Sequence, residues 1–234
     1  MTIQIADCSL RDGGYVGNKN FSKEFIDAVM SGLVKAGIDL IETGFLQTNV
    51  TGETLVYADS KDVLRNIPSE RGTSEFLGFC DNSRYCIEKL DDCTGKSFKT
   101  LKISFAKYES ESALQFCQNA MKKGYKVFVQ PMDANGYTME EREDMLKKVN
   151  AFKPAAFAIV DTFGTMYLDD LTRIFKQIEM SDMKQVINAC CIANDFLFAH
   201  ASTLSQPKLS SAINSPSQSY TACISAPTFF AIAA

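Results

Sequence analysis

The sequence lacks the features that mark several common classes of protein. No two of its eight cysteines stand in a C-x-x-C spacing, which argues against a zinc ribbon or a redox pair. There is no run of Lys and Arg and the net charge is −4, so the charge pattern does not favour nucleic acid binding. No apolar stretch approaches the roughly 20 residues that span a bilayer, and residues 1–12 are too short and polar for a signal peptide. We therefore expect a cytoplasmic protein with reduced thiols and no membrane or nucleic acid partner.

The 234 residues are enough for one large domain with a sizeable core, since 46% are apolar and 22% charged. Short apolar runs recur and are followed by polar segments of helical period. Because the runs are nearly continuous, each predicts a strand buried on both faces. The predicted strands cover residues 3–8, 40–45, 75–80, 101–105, 127–132 and 157–161.

The polar segments between the runs predict helices. Ser22 is the expected N-cap of a helix over 22–36 that stops at Gly37, and Thr138 with Glu141 forms a capping box for 139–152. The remaining predicted helices cover 110–123 and 168–179, with shorter ones over 59–66 and 83–90. Strand and helix alternate six times, which predicts a parallel sheet with helices outside it.

Two architectures have this alternation, an open doubly wound sheet and a closed barrel. The dinucleotide fingerprint G-x-G-x-x-G is absent and the repeat length suits a (β/α)8 TIM barrel. We predict an incomplete barrel, with six clear βα units, a weak seventh strand at 185–189 and no eighth unit. Residues 1–185 would form the partial barrel, and 186–234 an atypical segment of low charge that we expect to be poorly ordered.

The C-terminal segment differs in composition from the rest. After Gln185 the only charged residues are Asp195 and Lys208, and no glycine follows Gly164, although βα units need turn glycines. A weak helix is predicted over 196–204. A frameshift, a truncated gene or an unusual splice would each produce such a segment. An incomplete barrel has two open strand edges, so we expect marginal stability or association into a homo-oligomer.

The end of the first predicted strand carries the most informative motif, "DCSLRDGGY" at residues 7–15. Arg11 and Asp12 stand side by side, and Gly13 and Gly14 allow backbone or ligand to approach closely. On these residues alone the pair is either a structural ion pair or part of a site. In a barrel, chemistry takes place at the carboxyl ends of the strands.

This motif resembles the D-x-T-L-R-D-G signature of the superfamily that contains 4-hydroxy-2-oxovalerate aldolase, isopropylmalate synthase and 3-hydroxy-3-methylglutaryl-CoA lyase. The form with R-D-G-G-Y is most similar to aldolase-like proteins related to 4-hydroxy-2-oxovalerate aldolase. "IETGF" at 41–45 and "VDTFGTMYLDDL" at 160–171 resemble the second- and sixth-strand motifs of the same superfamily. The three motifs occur in order and together cover residues 3 to about 180.

The resemblance implies a divalent-metal aldolase or lyase that cleaves or forms a C–C bond next to a 2-oxo acid. Asp12 would bind Mn²⁺ or Mg²⁺, or else Zn²⁺, and Arg11 would stabilise the pyruvate-type enolate. Relatives have a histidine, acting as general base, where this chain has Tyr15. Tyr15 is then either an acid/base group or a residue that only packs beside the site.

Further candidates follow the other strands. Glu42 interrupts an apolar run, so its carboxylate needs a partner, and Arg11 is the obvious candidate. The role of Glu42 is either this structural pairing or a contact with the substrate. Lys102 either lines the barrel and meets an anion or extends outward. Gln130 ends the fifth strand and is a candidate for substrate binding, and the resemblance implies a substrate contact for Thr162.

Two carboxylates at the ends of the fifth and sixth predicted strands are expected to be structural. Asp133 is read as a turn residue and Asp161 as an anchor at the end of a strand. Neither is predicted to take part in the chemistry.

The family pattern breaks at the seventh strand. Relatives supply two metal ligands there in an H-x-H-N motif, whereas His200 is the single histidine of this chain. Cys190 or Asp195 could replace them beside Asp12, and His200 is expected on the following helix. The alternative to an enzyme is therefore a catalytically inactive, degenerate or truncated barrel that lacks the H-x-H ligands.

Overall fold

The strands are almost continuously apolar in sequence because a sheet covered on both sides buries both of their faces. A computed structural model describes residues 3–181, 186–189 and 229–233. The strands are β1 (Ile3–Asp7), β2 (Leu40–Glu42), β3 (Phe45–Leu46), β4 (Val56–Tyr57), β5 (Glu75–Asp81), β6 (Thr100–Phe105), β7 (Lys126–Pro131), β8 (Ala156–Val160), β9 (Val186–Ala189) and β10 (Phe229–Ala233). The six predicted strands are thus confirmed, the second as the pair β2 and β3.

The helices pack outside the sheet. They are α1 (Ser9–Val16), α2 (Lys23–Lys35), α3 (Ser110–Lys122), α4 (Met139–Phe152) and α5 (Leu168–Met180). Both predicted caps are confirmed: Ser22 Oγ accepts from the backbone N–H of Phe25 at 3.2 Å, and Thr138 and Glu141 exchange two hydrogen bonds. The predicted helices over 59–66 and 83–90 are wrong, because only the 3₁₀ turns Asp62–Asn66 and Ile87–Lys89 form there.

The sheet closes into a ring in the order β2-β1-β10-β9-β8-β7-β6-β5, since β5 also pairs with β2. Strands β1, β2 and β5 to β9 run parallel, while β10 lies antiparallel between β1 and β9. This confirms the incomplete (β/α)8 barrel, because an eighth parallel strand is missing from the residues described. The prediction of two open edges is wrong, because backbone pairing with β10 satisfies the facing edges of β1 and β9.

Two apolar layers hold the barrel together. The outer layer lies between the strands and the helices and is typified by Ile41, Ile103 and Val129 packed with Ile26 and Leu146. The inner layer fills the ring with Ala6, Leu40, Leu77, Phe128, Ala156, Ala158 and Val160. Side chains alternate between the layers along each strand, so the sequence register decides what faces the interior. No described helix is long and apolar enough to cross a bilayer.

A glycine causes the break between β2 and β3. Gly44 has φ +139°, and a Cβ there would lie 2.4 Å from the carbonyl oxygen of Leu55. Thr43 turns back onto β5, with its backbone N–H and its hydroxyl both donating to the carbonyl of Leu77. Only glycine combines this backbone conformation with so close an approach of another backbone. The bend places the carboxyl end of β2 at the mouth of the barrel.

We predict that Gly44→Ala destabilises the fold by about 1–3 kcal/mol, because the added methyl meets backbone rather than a movable side chain. Gly32→Ala is the matched control. Gly32 lies within α2 with no atom within 4 Å of the added Cβ, so the same substitution should stabilise by roughly 0.5–1 kcal/mol. Urea unfolding measures both. Equal effects of the two substitutions would contradict this account of the bend.

Candidate active site

The candidate site begins where β1 passes directly into α1. Asp7, the last residue of β1, accepts hydrogen bonds from the backbone N–H and the hydroxyl of Ser9, at 3.0 and 2.7 Å. These bonds satisfy donors at the start of α1, which otherwise lack partners within the helix. Arg11 and Asp12 therefore lie in the first turn of a helix at the carboxyl end of the barrel, where the sequence predicted no helix.

Four charged side chains from three elements form one connected network. Glu42 accepts from Arg11 Nε through Oε2 at 2.7 Å and from Lys102 Nζ through Oε1. Arg11 Nη1 also donates to Asp12 Oδ1, and Cys8 Sγ donates to Asp12 Oδ2 at 3.1 Å. The predicted pairing of Glu42 with Arg11 is thus confirmed. Lys102 meets an anion inside the barrel rather than extending outward. What these residues do chemically stays a prediction.

The network is removed from water. Glu42 is 0% exposed and Arg11 and Lys102 are each 2% exposed. Desolvation acts to raise the pKa of Glu42, but the charges and hydrogen bonds of Arg11 and Lys102 outweigh it and hold that pKa below its ordinary value. The pKa of Cys8 is raised well above its ordinary value, chiefly by burial and then by the Glu42 charge. Cys8 therefore remains a thiol and a hydrogen-bond donor.

An aromatic wall fixes the plane of the arginine. The Arg11 guanidinium lies 4.5 Å from the centroid of the Phe79 ring, and Phe79 meets Phe45 edge to face at 5.9 Å. Tyr15 packs edge to face on Phe45 at 5.1 Å, and it is 56% exposed. Tyr15 therefore stands at the entrance to the network, with its ring packed and part of its surface open to solvent.

The electrostatics of Tyr15 favour a proton donor. Its pKa is raised above the ordinary value, mainly by desolvation, while the charge of Arg11 acts in the opposite direction. A phenol with a raised pKa stays protonated at neutral pH. Tyr15 can then donate a hydrogen bond or a proton, but it is poorly suited to be the general base that a histidine would be at this position.

The remaining predicted residues lie on β7 and after β8. Gln130 is buried near the end of β7. Thr162 Oγ1 accepts from the backbone N–H of Asp133 at 2.7 Å, which holds Asp133 in its left-handed turn conformation. Asp161 accepts from the backbone N–H groups of Thr165 and Met166, which matches its predicted role as an anchor. In this bond the Thr162 hydroxyl is the acceptor, so its own hydrogen can still donate to another group. A substrate contact for Thr162 stays a prediction.

The described residues do not by themselves fit a divalent metal. Both carboxylate oxygens of Asp12 are engaged, one by Arg11 and one by Cys8, and no group of three or more His, Cys, Asp or Glu is gathered within the described ranges. The sequence candidates Cys190, Asp195 and His200, and the predicted helix over 196–204, lie outside those ranges. Asp12 as a metal ligand remains a prediction from the resemblance.

Sequence reasoning missed three members of the site. Phe79 lies two residues after Leu77 on β5, so both side chains lie on the inner face of that strand. The alternation of side chains along a strand could have predicted this position. Cys8 and Asp7 belong to the quoted motif but were assigned no contact. The helix α1 was missed because the double glycine disfavours helix in isolation.

The fold is that of a TIM barrel, and the charged network lies at the carboxyl ends of its strands, where barrel enzymes carry their active sites. The chain is 28% identical over 221 residues to homocitrate synthase AksA of Methanosarcina mazei, covering 87% of this chain and 51% of that protein. No family model matches the sequence.

Two solved structures share the fold. One is the N-terminal domain of a protein assigned as an aldolase from Bacteroides vulgatus, at 20% identity and a TM-score of 0.61, covering 75% of this chain and 60% of that one. The other is the HMG-CoA lyase of Bacillus subtilis, at 11% identity and a TM-score of 0.54, covering 75% and 61%. At these identities the two structures show a shared fold and no more. The chain spans about half the length of its curated relative.

Glu42→Gln tests the network. It leaves two buried cations facing a neutral amide, so we expect a loss of about 3–5 kcal/mol in the free energy of unfolding at pH 7. The folded-state pKa of Glu42 is lowered, so its contribution is fully present above the unfolded pKa of about 4.3 and is lost as the pH falls through the folded value. Urea unfolding from pH 7 to pH 3 should therefore show a smaller acid-induced loss in the variant than in the wild type.

Asp144→Asn is the matched control for removal of a carboxylate. Asp144 pairs with Lys148 at 2.7 Å, but both side chains are more than half exposed, so its unfolding midpoint should equal that of the wild type. A Glu42→Gln protein as stable as this control would show that the buried network does not hold the barrel together.

Proposed function

We propose that this barrel is a carbon–carbon lyase or synthase of the metal-dependent aldolase superfamily that acts on a 2-oxo acid of the pyruvate type. One observation carries the proposal. Arg11, from the motif that resembles the superfamily signature, is fixed by Glu42, Asp12 and Phe79 at the carboxyl end of the barrel. The R-D-G-G-Y form further favours a protein like 4-hydroxy-2-oxovalerate aldolase.

The chemistry requires stabilisation of developing negative charge. When the carbon adjacent to the 2-oxo group loses its bond to the next carbon, or loses a proton, the electron pair left on it is delocalised onto the carbonyl oxygen as an enolate. A guanidinium that is already oriented in a desolvated site stabilises this oxygen without reorganising during the reaction. Arg11 meets these conditions through its contacts with Glu42 and Phe79. Tyr15, protonated and partly exposed, is the proposed hydrogen-bond donor at the entrance.

A second function is favoured by a specific observation. Asp12 uses both of its carboxylate oxygens within the protein, and the described residues gather no metal-binding group. A barrel of this kind could bind a small molecule without catalysing a reaction. The two functions differ in whether the chain accelerates enolisation, and one assay separates them.

The assay is deuterium exchange of the methyl protons of pyruvate in D₂O, followed by proton NMR, because it reports enolisation without a second substrate. We expect the wild type to accelerate exchange and Arg11→Lys to lower the rate about 100-fold or more. Lysine keeps the charge but cannot present the planar guanidinium fork to both carboxylates. Samples with added Mn²⁺ and with EDTA report metal dependence in the same experiment.

Arg173→Lys is the control for the substitution itself. Arg173 pairs with Asp170 on the surface of α5, and its side chain is 61% exposed, so its exchange rate should match the wild type. Urea midpoints of all three proteins separate loss of activity from loss of folding. Exchange no faster than in buffer, or an exchange rate that Arg11→Lys does not change, would contradict the proposed enzyme activity. The non-catalytic barrel would then be the function that remains.

A further inference from the structure

Both oxygens of the Asp12 carboxylate contact donors of the protein itself. Oδ1 accepts from Arg11 Nη1, and Oδ2 accepts from the Cys8 thiol at 3.1 Å. A carboxylate binds a divalent ion through the same lone pairs that accept these hydrogen bonds. An ion on Oδ1 would lie beside a guanidinium of like charge, and an ion on Oδ2 would displace the thiol. The contacts of Asp12 therefore compete with metal binding.

The charges of the network balance without an ion. Arg11 and Lys102 carry two positive charges, and Glu42 and Asp12 carry two negative ones, so the four linked side chains are neutral together. A divalent ion would add two positive charges beside Glu42, Arg11 and Lys102, which are each 2% exposed or less. An uncompensated charge is costly there, because water no longer solvates it. Neutrality thus favours the network as it stands.

Further ligands for an ion on Asp12 are not gathered in the described ranges. Asp7, the other carboxylate of the motif, has its two oxygens engaged by the backbone N–H and the hydroxyl of Ser9. Strand β9 (Val186–Ala189), where the resemblance leads us to expect two histidine ligands, carries no histidine. Within the described ranges an ion on Asp12 would therefore find no imidazole and no second available carboxylate.

Asp12 instead completes the contacts that hold the Arg11 guanidinium. Glu42 accepts from Nε at 2.7 Å, Asp12 accepts from Nη1, and the Phe79 ring lies against the face of the group at 4.5 Å. Contacts at two different nitrogens fix the rotation of the guanidinium within its plane, and the ring restricts motion out of that plane. A guanidinium held only at Nε could swing about that one hydrogen bond.

We propose that Asp12 is a positioning residue for Arg11 rather than a metal ligand, so that the site receives its 2-oxo acid without a divalent ion. This assignment replaces the role that the resemblance implies for Asp12. It rests on the proposed function and describes how the site of that function is held together. Two variants separate the roles: Asp12→Asn keeps an oxygen that can accept from Arg11 but loses the charge, and Asp12→Ala loses both.

The first test is titration of Mn²⁺ into the full chain, followed by electron paramagnetic resonance, which distinguishes the hydrated ion from the bound ion. We expect the wild type and Asp12→Ala to bind Mn²⁺ alike, with no Asp12-dependent site of Kd below about 1 mM. Asp144→Ala, which removes a surface carboxylate paired with Lys148, is the control for weak binding to exposed carboxylates. Tighter binding that is lost in Asp12→Ala would overturn the proposal.

Urea unfolding in EDTA gives a readout that does not depend on activity. A carboxylate that positions Arg11 stabilises the metal-free protein, so Asp12→Ala should lower the midpoint and Asp12→Asn should lower it less. Added Mn²⁺ should shift the wild type no more than it shifts Asp12→Ala, because only specific binding to the folded state stabilises it. An unchanged or raised midpoint for Asp12→Ala in EDTA would overturn the proposal, since Asp12 would then not stabilise the metal-free network.

Deuterium exchange of the pyruvate methyl protons tests the positioning of Arg11 itself. The wild type should exchange as fast in EDTA as with Mn²⁺. Asp12→Asn should stay within about 10-fold of the wild type, whereas Asp12→Ala should be about 100-fold slower, because the guanidinium loses one of its two anchors. An exchange rate that requires Mn²⁺, or an equal loss in both variants, would overturn the positioning role and leave the 2-oxo acid function standing.

Failure of the proposed function gives a different result. If the wild type accelerates exchange neither in EDTA nor with Mn²⁺, the proposed enzyme activity is contradicted. The Mn²⁺ titration and the urea midpoints still decide whether Asp12 holds Arg11 or an ion, because neither measurement requires turnover.

Discussion

The buried carboxylate of Glu42 is the constraint on which this barrel mouth depends. An ionised carboxylate without water is tolerated only when its oxygens receive charged hydrogen-bond donors, and here Arg11 and Lys102 each serve one oxygen. Those donors come from α1 and from β6, while Glu42 itself comes from β2. Removing any one member leaves the others uncompensated, so three elements that are distant in sequence are held in one arrangement.

That arrangement depends on the backbone just before Arg11 and just after Glu42. Asp7 ends β1 and caps the start of α1, which brings Arg11 back over the ring instead of away from it. Gly44 bends the chain after Glu42 so that Phe45 can join Phe79 in the wall beside the guanidinium. The orientation of Arg11 is thus fixed by ionic contacts on one side and an aromatic face on the other. A side chain held in this way loses little further entropy when it meets a ligand.

The strands and the main helices could be predicted from sequence because buried parallel strands and capped helices leave strong local patterns. The pairing of Glu42 with Arg11 was also predictable, since a carboxylate inside an apolar run must have a partner. The helix α1 was not, because Gly13 and Gly14 favour a loop in isolation and the caps that stabilise it come from the end of β1. The position of β10 was not predictable either, because pairing between strands so distant in sequence leaves no local signal.

Along the barrel axis the interior changes from an apolar layer to a polar layer, and the polar layer is where chemistry is feasible. On β2 the inner face carries Leu40 and then Glu42, and on β7 it carries Phe128 and then Gln130, so each strand passes from apolar to polar toward its carboxyl end. The apolar layer closes one end of the ring and excludes water beneath the network. Coulombic interactions are stronger there than at an exposed surface, which is what the proposed stabilisation of an enolate by Arg11 requires.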